Sequence, residues 1–172
     1  MTQSIKTIAV GQTFPHVNFQ MKLDDGIDTF TTFDYFKDSR VVLFVVPGAF
    51  TPTCSAKHLP GFVKLADKFK VAGIDKIACM AVNDAHVMRA WAEANDAAGI
   101  IDMIADFHTE MSDALGLTRN MGPVMGRRAT RCAMVIDHGV VKSIFMEKPG
   151  AFAVSSAEHV LASLSAGKYI FR

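Results

Sequence analysis

The residues with the clearest chemical capacity lie in one short stretch, Pro47-Gly-Ala-Phe-Thr-Pro-Thr-Cys54. A cysteine acts as a nucleophile through its thiolate, so what matters is whether the surroundings favour that form. Thr51 is a good helix N-cap, and Pro52 follows at the first helical position, where its missing N–H costs nothing. By that count Cys54 is the third residue of a helix, the seat that a Glu or Gln takes in a capping box. A sulfur there lies at the positive end of the helix dipole beside the free N–H groups of the first turn, and both favour the thiolate. Such a thiolate can attack the O–O bond of a peroxide, given donors for the departing oxygen. The Thr51 hydroxyl and the N–H groups of Thr53 and Cys54 are placed to donate. The competing reading is that Cys54 is a small apolar residue packed at a helix start.

The elements that must position this stretch are legible from hydrophobic periodicity. Val41 to Val46 is a continuous β-branched and apolar run closed by Pro47-Gly48, which predicts a strand buried on both faces. Ile77 to Val82 predicts a second such strand. Between them, Cys54 to Ala72 carries Leu59, Phe62, Val63, Leu65, Ala66 and Phe69 at helical intervals and stops at Gly73. Strand, helix and strand of these lengths make a βαβ crossover, with Cys54 in the turn from strand to helix where open α/β sheets place ligands.

Further along, Asp84 to Ala98 predicts a helix capped by Asp84, with Val87, Trp91 and Ala94 on its buried side. Ile101 to Ala105 predicts a short strand and Thr109 to Leu115 a short helix. Cys132–Ile136 and Val140–Ile144 predict a hairpin across Asp137-His138-Gly139, and Ser156 to Ser165 a last helix capped by Ser155 or Ser156. The order predicts an α/β fold with a central mixed sheet, helices on both faces and a thioredoxin-like topology.

Composition narrows the function classes. The chain has 172 residues, half of them hydrophobic, with a net charge of +1, which predicts a single domain over residues 1–172. Lys and Arg are dispersed, so a nucleic-acid footprint is not expected. The apolar runs are far shorter than the roughly 20 residues of a membrane span, and Met1 to Val10 has no apolar core of a secretory signal, which predicts a cytoplasmic protein without a membrane partner. Cys54, Cys79 and Cys132 are too few and too scattered for a disulfide framework, and with the six His they show no metal-ligand spacing, so no metal is expected.

The pattern Pro47-x-x-x-Thr51-x-x-Cys54, within Val46-Pro-Gly-Ala-Phe-Thr-Pro-Thr-Cys-Ser55 and followed by His58-Leu-Pro-Gly-Phe62, resembles the active-site signature of the peroxiredoxins, type II or peroxiredoxin-five-like. The resemblance continues at Ala78–Asp84, Met88–Trp91, Arg131–Val135 and Phe152–Glu158. It implies that Cys54 is the peroxidatic cysteine, that Thr51 aligns the peroxide with the sulfur, and that Pro47 shields the pocket. A later arginine completes such sites; Arg131 is its counterpart, with Arg127 and Arg128 as alternatives in register. A guanidinium suits the role because it stays charged and offers several donors. Thr53 and Phe50 are expected at the substrate, Phe50 as part of an apolar collar.

The resemblance further implies an antioxidant thiol peroxidase for hydrogen peroxide and small alkyl hydroperoxides, without a cofactor and acting as a homodimer. Its sulfenic acid would be reduced by glutathione with glutaredoxin, or by thioredoxin. Some relatives carry a resolving cysteine in the segment matching Phe152 to Ser156, but that position here is Val154. Cys79 matches a cysteine considered resolving in some members; its apolar strand predicts a buried core residue instead. Strand alternation sends Cys132 to the face opposite Arg131. A redox sensor or a thiol-disulfide exchange protein using the same cysteine is the alternative, although exchange proteins use Cys-x-x-Cys and Lys57 stands three residues past Cys54.

Overall fold

Alternation along the two apolar runs decides the architecture. In the computed structural model, which describes residues 6–166, strand β3 (Arg40–Val45) turns Val42 and Phe44 to one face of a sheet and Val41, Leu43 and Val45 to the other. Both faces are dry, so helices must cover both. Met1 to Ile5, part of the stretch read for a secretory signal, lie outside the described residues.

The chain runs β1 (Asn18–Lys22), β2 (Ile27–Thr31), α1 (Thr32–Phe36), β3, α2 (Leu59–Val71), β4 (Lys76–Ala81), α3 (Ala85–Ala94), β5 (Asp102–Ala105), α4 (Glu110–Ala114), β6 (Thr118–Asn120), α5 (Gly122–Met125), β7 (Arg127–Ala129), β8 (Cys132–Asp137), β9 (Val140–Met146) and α6 (Ala157–Ser165). The main sheet has the order β2-β1-β5-β4-β3-β8-β9. Strands β3, β4 and β5 are parallel, and β8, β9, β1 and β2 join antiparallel at the two sides. Helices α2, α3 and α6 pack on one face, around Phe44, Phe62, Trp91 and Val160; α1 and α4 pack on the other, around Phe36, Leu43 and Met111. The predicted mixed sheet with helices on both faces is therefore present.

Helix α2 is continued backward without a break by a π-helical turn, Cys54–His58, and by residues 52–53. The Leu59 N–H donates to the Cys54 carbonyl, five residues back. Cys54, His58, Leu59 and Phe62 are buried along one side of this continuous helix. Phe62 stacks on Phe44 with centroids 4.1 Å apart and planes within 8°, seating the helix on the sheet. Burial of each such ring contributes roughly 2–3 kcal/mol.

Two expectations need correction, and one element goes beyond them. The helix after Asp84 ends at Ala94 rather than Ala98, because the Asn95 side chain turns back to the Trp91 carbonyl at 2.9 Å and Asp96 takes a left-handed conformation, φ 55°. Its buried residues are Ala85, Met88, Trp91 and Ala92, with Ala94 exposed and Val87 half-buried. The N-terminal hairpin β1–β2 was not anticipated, although Phe19 and Met21 alternate inward and Asp24-Asp25-Gly26 marks its turn. Asp84 does cap α3, accepting from the Val87 N–H, and of the two candidate serines Ser156 caps α6, accepting from the His159 N–H.

Candidate active site

Cys54 is fully buried at the first turn of the helix that follows β3. The first helical bond runs from the Ser55 N–H to the Thr51 carbonyl at 3.0 Å, so the N–H groups of Thr53 and Cys54 precede any carbonyl of the helix that they could donate to. The positive end of the helix therefore faces the sulfur.

Thr51 does not cap the helix with its side chain. Its hydroxyl donates to the Gly48 carbonyl at 2.8 Å, tightening the turn 48–51. With its single proton engaged there, the oxygen is left to accept, which reverses the donor role expected from the sequence. The turn is pinned from outside. Ala49 N–H donates to Asn83 Oδ1 at 2.9 Å, and Arg128 donates to the carbonyls of Met125 at 2.8 Å, Val82 at 3.1 Å and Pro47 at 3.4 Å.

Among the three arginines weighed for the site, the structure brings Arg131 to the sulfur. Its Nη2 donates to Cys54 Sγ at 3.1 Å. The strand period explains the choice: Ala133 and Val135 of β8 face the α2 side, and Arg131, two residues before Ala133, extends that row, while Cys132 and Met134 face away. Arg127 forms a forked ion pair with Asp113 at 2.8 and 3.1 Å, and Arg128 holds backbone carbonyls.

Behind Arg131 lies a network that the sequence reading did not assign. Arg131 Nη1 donates to His58 Nδ1 at 2.9 Å, and His58 Nε2 donates to the Ser155 carbonyl at 2.9 Å. Burial, and then the Arg131 charge, push the imidazole down to about 3, so it is neutral near pH 7. Glu147, buried, accepts from the Ala153 N–H at 2.6 Å, the Ser155 N–H at 2.8 Å and the Ser155 hydroxyl at 2.9 Å. Burial opposes its charge, but these hydrogen bonds outweigh it and hold the carboxyl below its usual range. Phe152 lies 5.0 Å from the His58 ring and 5.9 Å from the Arg131 guanidinium. The signal for His58 was its place four residues past Cys54 on an otherwise apolar face.

A cleft of about 600 Å³ opens beside this group, lined by Pro47, Thr53, Arg131, Met121, Met146 and Pro149 among others. Thr53 and Pro47 thus meet Arg131 at the cleft. Phe50 is in a left-handed conformation, φ 61°, and 57% exposed, and it does not line the cleft. Cys79, on β4 opposite Phe44 of β3, shares the hydrophobic cluster of Cys54, whereas Cys132 lies in the cluster on the opposite face. All three are free thiols and fully buried; burial pushes Cys79 well up and Cys132 to about 12. Among the described residues, no three His, Cys, Asp or Glu side chains converge as they would to hold a metal ion.

Comparison with known proteins places this geometry in context. Residues 9–161 match the Redoxin family. The chain is 42% identical over 169 residues to peroxiredoxin-2E-2, chloroplastic, of Oryza sativa subsp. japonica, spanning 93% of this chain and 74% of that protein. Reduced Prx3 in complex with hydrogen peroxide from Vibrio vulnificus superposes with a TM-score of 0.90 at 46% identity, covering 92% of this chain and 99% of that one. Peroxiredoxin 5 from Alvinella pompejana gives a TM-score of 0.81 at 34% identity, over 92% of this chain and 99% of that one.

Proposed function

Since the chain belongs to the Redoxin family, and within it to the type II peroxiredoxins, thiol-dependent peroxidases, we propose that its chemistry runs through Cys54 with Arg131, Thr51 and Pro47 around it. The observation that carries the assignment is the 3.1 Å contact of Arg131 Nη2 with Cys54 Sγ at a helix N-terminus. The guanidinium and the free N–H groups present hydrogen-bond donors to the sulfur.

The thiolate attacks one oxygen of the hydroperoxide, the S–O bond forms as the O–O bond breaks, and the pair from that bond leaves on the other oxygen. Sulfur is oxidised to the sulfenic acid; the peroxide is reduced to water or an alcohol once the departing oxygen takes a proton from solvent. Arg131 and the Thr53 N–H stabilise the charge that develops. Thr51 accepts from the peroxide O–H and so orients it, and Pro47 limits water at the cleft mouth.

An external thiol then reduces the sulfenic acid, giving a mixed disulfide and water, and a second thiol releases Cys54. The burial of Cys79 and Cys132 supports this over an internal disulfide, and the open cleft gives a thiol room to approach. Glutathione with glutaredoxin, or thioredoxin, fits the role. An exposed Phe50 next to the nucleophile's helix is consistent with a homodimer formed at this edge. Three free thiols fit a reducing compartment such as the cytoplasm.

The test is turnover of hydrogen peroxide and an alkyl hydroperoxide with each reductant. Cys54→Ser is expected to abolish it, Arg131→Met to lower it by about 10²–10³-fold, and Cys79→Ser to leave most of it. Residual turnover in Cys54→Ser rules the assignment out, and a Cys54–Cys79 disulfide after one equivalent of peroxide rules out external resolution.

A further inference from the structure

The cleft beside Cys54 is far larger than hydrogen peroxide requires. It encloses about 600 Å³. Hydrogen peroxide, about two waters in size, fills on the order of 60 Å³. Cavities of roughly 300–1,000 Å³ take up whole organic ligands. The wall is apolar at Pro47, Met121, Met146, Pro149 and Ala151. Its two methionines are unbranched, with three rotatable bonds each, and adapt to the shape of an alkyl chain.

The charge of the lining is one-sided. Arg131 stands at the inner end against the sulfur, and two exposed cations, Arg119 of β6 and Lys148 of the loop after β9, line the same cleft. Arg119 gives one N–H to the Thr118 carbonyl at 3.0 Å and keeps its other donors. Among the described residues neither Arg119 nor Lys148 pairs with a carboxylate, whereas the nearby Arg127 is matched by Asp113. The carboxylate that does line the cleft, Glu147, is buried and turned to the Ala153 and Ser155 N–H groups. A cleft lined by one sign of charge focuses its field and draws in ligands of the other sign. An apolar wall with cations at its solvent side fits an amphiphilic anion.

We propose that Arg119 and Lys148 bind the carboxylate of an organic hydroperoxide whose apolar body lies along Met121 and Met146 and whose O–O group reaches Cys54. The favoured oxidant is thus a hydroperoxy acid of the fatty-acid kind rather than a neutral alkyl hydroperoxide. The inference rests on the reading of Cys54 as the nucleophile. Cys54 takes the outer oxygen as its sulfenic acid while the O–O bond breaks. The inner oxygen takes a proton from solvent, and the product leaves as the hydroxy acid. Each cation is exposed and screened, so each is expected to contribute about 2–5-fold in rate, and the two together about 10-fold.

The experiment measures the bimolecular rate of Cys54 oxidation by linoleic acid hydroperoxide and by its methyl ester, both below their micelle concentrations, with tert-butyl hydroperoxide as reference. Wild type is expected to react about 10-fold faster with the acid than with the ester, and that advantage to shrink as salt is raised. Arg119→Gln and Lys148→Gln each remove part of it, the double variant abolishes it, and Arg119→Glu with Lys148→Glu makes the ester the faster substrate. Circular dichroism checks each fold, and the wild-type salt series stands without any variant. An acid no faster than its ester in wild type overturns the proposal. So does a double variant that slows acid, ester and tert-butyl hydroperoxide alike, since that reports a distorted cleft. Reduction of the sulfenic acid by mercaptopropionate and by mercaptoethanol forms the other arm. If the variants slow only the carboxylate-bearing thiol, the cations serve the reductant and the hydroperoxide proposal fails. Cys54→Ser run in parallel separates the two claims: peroxide consumption there sinks the underlying assignment whatever Arg119 and Lys148 do.

Discussion

At the scale of single residues, reactivity follows from what touches Cys54 Sγ. The sulfur has no exposed surface, and under the proposed function a peroxide would reach it from the cleft lined by Pro47, Thr53 and Arg131. Desolvation there strengthens each charge-assisted hydrogen bond. The Thr51 hydroxyl, bound to the Gly48 carbonyl, presents lone pairs, while Arg131 presents N–H groups, so a hydroperoxide that donates to one and accepts from the other is held in a single orientation. Thr51→Val keeps the shape and removes the acceptor; its rate with hydrogen peroxide is expected to fall by about 10²-fold in stopped-flow measurements, with Thr51→Ser near wild type. The lone tryptophan of the chain donates to Ser55 Oγ at 2.9 Å, next to the sulfur, and supplies the fluorescence signal. A Val variant as fast as wild type would remove Thr51 from the reaction.

At the scale of elements, three pieces meet at the sulfur: the turn 47–51, the π-turn and the end of the loop before β8. The turn leaves little room for a side chain at Gly48. A Cβ there would lie 3.0 Å from Arg128 Nη1, 3.2 Å from Thr51 Cγ2 and 3.7 Å from Met125 Cε. Arg128 has little freedom to yield because it is tied to the carbonyls of Pro47 and Val82. Gly48→Ala is therefore expected to cost roughly 1–3 kcal/mol in urea unfolding and to slow the peroxide reaction by displacing Thr51. Unchanged stability and rate together would mean the turn relaxes freely. The helix matters in the same way, since its four-residue spacing presents Cys54, His58 and the Phe62 that seats it on β3 from one side.

At the scale of the whole molecule, the buried network should make the fold acid-sensitive. His58 has a native value of about 3, against roughly 6.5 when unfolded, so the unfolded chain binds this proton first. Its contribution is complete above about pH 6.5 and is lost progressively as pH falls toward 3, at up to about 1.4 kcal/mol per pH unit. Glu147, held below the usual carboxylate range, acts in the same direction at lower pH. Urea midpoints of wild type are expected to fall between about pH 6.5 and 4 more steeply than those of His58→Phe, which has no such proton to take up. Parallel slopes in the two proteins would show that His58 titrates normally.

Local patterns carried much of this protein. The period-2 and helical runs from Val41 to Val82, the Thr51-Pro52 helix start and the place of Cys54 in it are written in neighbouring residues, because propensity and capping act over a few positions. Even the selection of Arg131 over Arg127 and Arg128 follows once the register of β8 against β3 is set, pairing Cys132 with Val45. What tertiary structure alone decided is which distant groups meet. Residues 54, 58, 131, 147 and 155 come together because β8 and β9 lie beside β3 and the loop after β9 folds over α2, and the fit of a neutral imidazole between a guanidinium and a carbonyl depends on those long-range contacts rather than on any spacing along the chain.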